Sequence, residues 1–90
     1  MPEPLTLYGA GNCDDTERMR RNLRRWGVPF REIDILQDDD AMIFVRAINH
    51  GSQSTPTLVF GDGKRKLVLT EPTDDELLQA LIETGHRARR

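Results

Sequence analysis

The sequence predicts an α/β domain of element order βαβαββα, with four strands in one sheet and helices on both of its faces. Three observations predict it. Short stretches that alternate apolar and polar residues recur between longer stretches whose apolar residues repeat at helical spacing. The first strand, first helix and second strand follow in the order of a parallel βαβ unit. A length of 90 residues suits one domain, expected over residues 1–85, with a basic tail over 86–90.

Each element has its own signal. Leu5-Thr6-Leu7-Tyr8 alternates as a half-buried strand does, and Gly9, Gly11 and Asn12 then break it. Asn12 is expected as the N-cap of the first helix, with Asp14 and Asp15 in its first turn, where carboxylates complement the helix dipole. Met19, Leu23 and Trp26 fall on one helical face. Gly27 ends this helix as a left-handed cap, and Pro29 prevents its continuation. Phe30 to Ile35 alternates again as the second strand. Asp38-Asp39-Asp40 opens a second helix with Ala41, Phe44, Val45 and Ile48 as its buried stripe, and Asn49-His50-Gly51 closes it. The polar loop Ser52-Gln53-Ser54-Thr55 ends at Pro56. Thr57 to Phe60 is the third strand, 61–65 a hairpin loop, and Lys66 to Leu69 the fourth strand. Thr73 with Glu76 three residues later is a capping box. Leu77, Leu78, Leu81 and Ile82 give the third helix its apolar face, and Gly85 stops it.

Composition narrows the functional classes. With 37% hydrophobic and 31% charged residues the chain is that of a folded domain. A formal net charge of -2 argues against a dedicated nucleic-acid binder. No apolar run approaches the roughly 20 residues of a membrane span, and no basic segment followed by an apolar stretch marks a signal peptide. The expected setting is cytoplasmic, without membrane or nucleic-acid partners. One cysteine excludes an intramolecular disulfide and a Cys-rich zinc site. His50 and His86 lack metal-ligand spacing and are expected at the surface, so no metal site is assigned.

The chemistry therefore rests on Cys13, at the start of the first helix and directly after the first strand. Unpaired amides and the helix dipole stabilise an anion there, which lowers a thiol pKa. A glycine-rich loop at the C-terminal end of a strand is also where open α/β sheets place ligands. Local features leave two readings open: a reactive thiol, or a small buried apolar side chain.

Tyr8-Gly-Ala-Gly-Asn-Cys13-Asp-Asp-Thr16 resembles the active-site loop of glutaredoxins and their thioredoxin-fold relatives. Gly27-Val-Pro-Phe30, Glu32-Ile-Asp-Ile35, Thr55-Pro56-Thr57 and Glu71-Pro72-Thr73 resemble later segments of the same family, in the right order. The resemblance implies a thioredoxin-like (glutaredoxin) fold with a four-stranded mixed sheet. It implies that Cys13 is the nucleophile, that Pro56 is cis beside it, and that the Thr55 backbone pairs with a bound thiol peptide by strand addition. It further implies that Thr73 and Asp74 face the charged end of glutathione or a similar thiol, with Asn12 beside them in the substrate site.

The sequence departs from the family at three places. Thr16 stands where a dithiol site has its second cysteine, and its hydroxyl is expected to donate to the Cys13 thiolate. Asp14 and Asp15 flank the sulfur and Glu17 follows one turn along, so the thiol is expected to be less acidic than in a dithiol site. The lysine that many glutaredoxins carry before the cysteine is absent, with Gly9, Ala10 and Gly11 in that stretch. Arg18, Arg20, Arg21, Arg24 and Arg25 lie further along the helix and are read as a solvated face.

The resulting expectation is a monomeric thiol–disulfide oxidoreductase with a monothiol mechanism. It would hold no bound cofactor, take glutathione or a similar low-molecular-weight thiol as co-substrate, and act on a disulfide-bearing protein. The alternatives are a redox-inactive interaction module and an iron–sulfur cluster carrier. Asp14 and Asp15 disfavour the carrier beside an anionic cluster.

Overall fold

A computed structural model describes residues 2–88. The order is β1 (Leu5–Gly9), α1 (Asp14–Arg25), β2 (Arg31–Asp34), α2 (Asp39–Ile48), β3 (Thr57–Phe60), β4 (Leu67–Thr70) and α3 (Asp74–Glu83). The sheet runs β2-β1-β3-β4. β1 and β2 are parallel, because α1 returns the chain across the sheet between them. β1 pairs antiparallel with β3, and β3 with β4, so the sheet is mixed as expected.

Strand alternation assigns the two faces. Leu5, Leu7, Leu58 and Phe60 pack with Met19, Leu23 and Trp26 of α1 and its end, and with Leu77, Leu78, Ala80 and Leu81 of α3. Tyr8 and Ile33 point the other way and pack with Ile35, Ala41, Met42 and Val45 around α2. The Tyr8 and Phe44 rings lie 5.2 Å apart there. Covered on both faces, β3 is buried at every position.

The helix ends follow their caps, with one correction. Gly27 takes φ 72°; its N–H donates to Arg24 O and that of Val28 to Leu23 O, which closes α1 as a Schellman turn. Asp38 accepts from Ala41 N–H at the head of α2, and Thr73 and Glu76 form the reciprocal capping box of α3. Asn12 does not cap α1. The turn from Ala10 to Cys13, closed by Cys13 N–H to Ala10 O at 3.1 Å, extends one residue further, and Cys13 itself takes the N-cap position.

Two apolar and polar assignments are also corrected. Ile82 is 65% exposed, because α3 turns only Leu77, Leu78, Ala80 and Leu81 toward the sheet. His86 is not a surface residue of the tail. It is buried, its Nε2 lies 2.7 Å from Glu3 O, and its ring stands edge-on to Phe60. With Glu3 N–H to Thr84 O, it ties the segment before β1 to the end of α3. Arg89 and Arg90 of the expected tail lie outside the described residues.

Arg20 and Glu32 fasten α1 to β2 through two parallel bonds of 2.7 and 2.6 Å. The Arg20 guanidinium holds the Glu32 carboxyl below its usual range, against partial burial that raises it. A carboxyl depressed in the folded state adds stability above its unfolded pKa of about 4.3 and loses it as the pH falls through its lower folded value. Glu32→Gln should cost up to about 1 kcal/mol at pH 7. The difference from wild type, read from urea unfolding, should shrink as the pH falls below about 4.3 and through the lowered folded value. A difference that is independent of pH would assign the contact to packing instead.

Candidate active site

The site is built at the C-terminal end of β1, where the chain turns into α1. Gly9 N-terminal to this turn is in β1, and its carbonyl accepts from Ile35 N–H at 2.9 Å, which anchors the strand end. Cys13 stands half-buried at the helix head. Its Sγ–H donates to the Thr55 carbonyl at 3.7 Å, across 42 residues of sequence. The Thr55–Pro56 peptide is cis, as the resemblance implies. Thus β1, α1 and the loop before β3 meet at the sulfur.

Thr16 is fully buried one turn into α1, where its Oγ1 accepts from Ala10 N–H at 3.4 Å. A hydroxyl that accepts one bond still carries its own proton for another acceptor. Burial pushes the Cys13 thiol up, but hydrogen bonds outweigh it: the Thr16 hydroxyl, the Thr55 hydroxyl and the backbone N–H groups of Thr16 and Asp15 hold the thiol below its ordinary value. The Thr55 carbonyl works the other way, since it accepts only from the protonated sulfur. The flanking carboxylates do not reverse this balance. Asp14, Asp15 and Glu17 are exposed, and Asp15 lies 3.4 Å from Arg18.

The other expected binding residues are dispersed around this centre. Pro56 is buried, and its carbonyl accepts from Glu71 N–H at 2.8 Å, which brings the approach to α3 against the Thr55–Pro56 loop. Thr73 is exposed, but its hydroxyl is used in the capping box. The Asp74 carboxylate already accepts from Asn22 Nδ2 at 2.9 Å and lies 3.4 Å from Arg18 Nε. Arg18 also donates to Pro72 O. Asn12 is exposed in the turn before Cys13. The geometry therefore gathers Cys13, Thr16, Thr55 and Pro56, while Thr73 and Asp74 sit on the neighbouring α3 corner, already bonded within the protein.

Asn22 and Asn49 were not singled out by the sequence pattern. Asn22 is buried and links α1 to α3. Asn49 bonds Val45, Thr57 and Thr70 at the end of α2. A polar residue on the apolar-facing side of α1 was the available signal for Asn22. Nothing local signals the partners of Asn49, which lie 8 and 21 residues away.

A thiol at the head of the first helix, facing a cis-proline loop across a β2-β1-β3-β4 mixed sheet, defines a thioredoxin-fold protein. Known proteins narrow the class. The chain matches the glutaredoxin family model over residues 5–65. It is 32% identical over 79 residues to a Mycobacterium tuberculosis protein named as a glutaredoxin, covering 88% of this chain and 90% of that one. Among solved structures it is similar to the thioredoxin-like protein BC3987, with TM-score 0.63 and 27% identity over 86% of this chain and 97% of that one. It is also similar to a glutaredoxin of Archaeoglobus fulgidus, with TM-score 0.61 and 26% identity over 89% of this chain and 86% of that one. The chain belongs to the glutaredoxin family.

Proposed function

We propose that this protein is a monothiol thiol–disulfide oxidoreductase that removes a low-molecular-weight thiol such as glutathione from protein mixed disulfides. The observation that carries this reading is the set of donors around one accessible sulfur: the Thr16 and Thr55 hydroxyls and two backbone amides favour the Cys13 thiolate. The thiolate, not the thiol, is the nucleophile in exchange. The single cysteine leaves no partner for an internal disulfide.

The reaction balances in two exchanges. Cys13 thiolate attacks the small-thiol sulfur of the mixed disulfide. A new disulfide joins Cys13 to the small thiol, and the target protein leaves as thiolate and takes a proton from water. A second small-thiol anion then attacks the small-thiol sulfur bound to Cys13. The symmetric small disulfide departs, and Cys13 thiolate is restored. In sum the target sulfur is reduced and the sulfur of the one incoming small thiol is oxidised, as the disulfide bond passes from the target to a pair of small thiols, one of which arrived in the mixed disulfide. Thr16 accompanies the sulfur through both steps as donor to its charged form. Thr55 and Pro56 offer backbone beside the sulfur for the main chain of a bound thiol peptide such as glutathione. Asn12, in the turn before Cys13, and Thr73 and Asp74, at the head of α3, are the candidates for holding the small thiol.

The test is to trap the intermediate. A peptide carrying one glutathione mixed disulfide is mixed with reduced protein in the absence of free glutathione, acid-quenched and weighed by mass spectrometry. One glutathione should transfer to Cys13 for each peptide thiol released. Peptide that stays unreduced while Cys13 remains a free thiol would sink the proposal and leave the interaction-module reading.

A further inference from the structure

Asn49 ends α2, and its side-chain amide is fully engaged. Nδ2 donates to Val45 O at 2.9 Å and to Thr57 Oγ1 at 3.2 Å, and Oδ1 accepts from Thr70 Oγ1 at 2.7 Å. Thr57 and Thr70 are direct partners across β3 and β4. They present their hydroxyls on the α2 side of the sheet, where Asn49 bridges them. Thr57 is fully buried and passes the constraint on, because its hydroxyl donates to Ser54 O at 2.7 Å. Ser54 immediately precedes Thr55, whose carbonyl faces the Cys13 sulfur.

We propose that Asn49 is a positioning residue for the main chain of the bound thiol peptide: through Thr57 and Ser54 it sets where the Thr55 backbone stands beside Cys13. The proposal rests on the oxidoreductase reading and adds to it the device that aligns a peptidyl substrate. The loop is held from two sides. Glu71 N–H grips Pro56 O at 2.8 Å after the cis bond, and the Asn49–Thr57 chain grips Ser54 O before it. Thr55 itself turns its carbonyl toward the sulfur. Both N–H donors of the Asn49 amide and the Thr57 hydroxyl proton are committed to these bonds. Loss of the brace frees Ser54 O and lets the loop shift. Misplacement of a substrate-aligning group weakens productive binding even when the reacting atom is intact.

The experiment compares two substrates. One is a peptide with a glutathione mixed disulfide; the other is the symmetric disulfide of 2-mercaptoethanol, which carries no peptide main chain to align. Asn49→Ala should raise KM for the peptide about tenfold, the scale of a lost hydrogen bond, with kcat changed less than about twofold. It should leave kcat/KM for the small substrate within about twofold. Thr57→Val should reproduce the KM effect, and Thr57→Ser, which restores the hydroxyl, should return KM to the wild-type value. If Thr57→Val fails to fold, Asn49→Ala at the half-buried helix end together with Asn49→Asp carries the test, since Asp keeps the acceptor and loses both donors. Equal loss for both substrates, or an unchanged peptide KM in folded Asn49→Ala, overturns the positioning role. A wild-type protein that turns over neither substrate overturns the oxidoreductase reading and this role with it.

Discussion

Cys13→Ser is expected to abolish the reduction of glutathione mixed disulfides, with kcat/KM falling by about three orders of magnitude or more, the scale seen when a nucleophile is removed. The reason is chemical rather than structural. A serine hydroxyl is almost wholly protonated at neutral pH, and an oxygen cannot carry the small thiol as a disulfide does. The fold should survive, because Cys13 is half-buried and serine keeps a small hydrogen-bonding side chain at the same position. Urea unfolding and circular dichroism of the variant should therefore match wild type within about 0.5 kcal/mol. The wild-type pH profile adds a second readout. The thiol is held below its ordinary value, so the rate should climb with pH at first and level off below about pH 8.5, the range of an unperturbed thiol. Activity that persists in Cys13→Ser would remove the cysteine from the mechanism. A profile still rising above that range would show that the donors around the sulfur do not activate it.

Gly9→Ala should cost about 1–3 kcal/mol, the usual penalty of overpacking. A Cβ at Gly9 would stand 2.9 Å from Thr16 Oγ1, 3.1 Å from Thr16 Cβ, and closer still to Thr16 Cγ2. Thr16 is fully buried one turn into α1, so it has no solvent into which to swing. Either α1 moves away from β1, or Thr16 rotates and gives up Ala10 N–H and Cys13. Both outcomes reach the active site. The urea midpoint should fall by about 1 M, given a slope near 1–3 kcal/mol/M, and Cys13 should alkylate more slowly at pH 7 as its thiol moves up toward the ordinary value. Thr16→Ser in the Gly9→Ala background removes the methyl that collides and keeps the hydroxyl, so it should recover part of both losses. A Gly9→Ala protein as stable and as reactive as wild type would mean that β1 and α1 are not packed this closely. The glycine here is required by close approach, not by turn geometry: it reads in the sequence only as the end of a strand, yet it makes room for the residue in the second-cysteine position.

Electrostatics around the sulfur were the least legible part of the site. The string Cys13-Asp14-Asp15-Thr16-Glu17 shows three carboxylates within a turn of the thiol and predicts a thiol less acidic than in a dithiol site. In the fold these groups are exposed, and water screens them. Short-range hydrogen bonds from the Thr16 and Thr55 hydroxyls and from backbone amides act at contact and prevail over burial. Counting charges along a chain overweights neighbours that face solvent. Thr55, 42 residues away, could be placed beside the sulfur only through the family resemblance.

His86 and Ile82 show the same limit in the packing. Local pattern puts Ile82 in an apolar face and His86 in a basic tail. The face of α3 that meets the sheet excludes Ile82, and the corner between Glu3 and Phe60 takes in His86.

The sequence by itself determined the order of elements, the extent of β3, the Schellman end of α1 at Gly27, the capping box of α3 and the position of the one thiol. These follow from local physics: alternation, helical periodicity, glycine's access to positive φ, and the absence of any second thiol. Only the tertiary structure decided that Cys13 rather than Asn12 occupies the head of α1. It also decided that Thr16 is wedged against Gly9, and that Asn49 reaches Thr57 and Thr70 to hold the loop before β3. Those contacts join residues from different elements, and their distances are set by how the sheet and helices pack rather than by spacing along the chain.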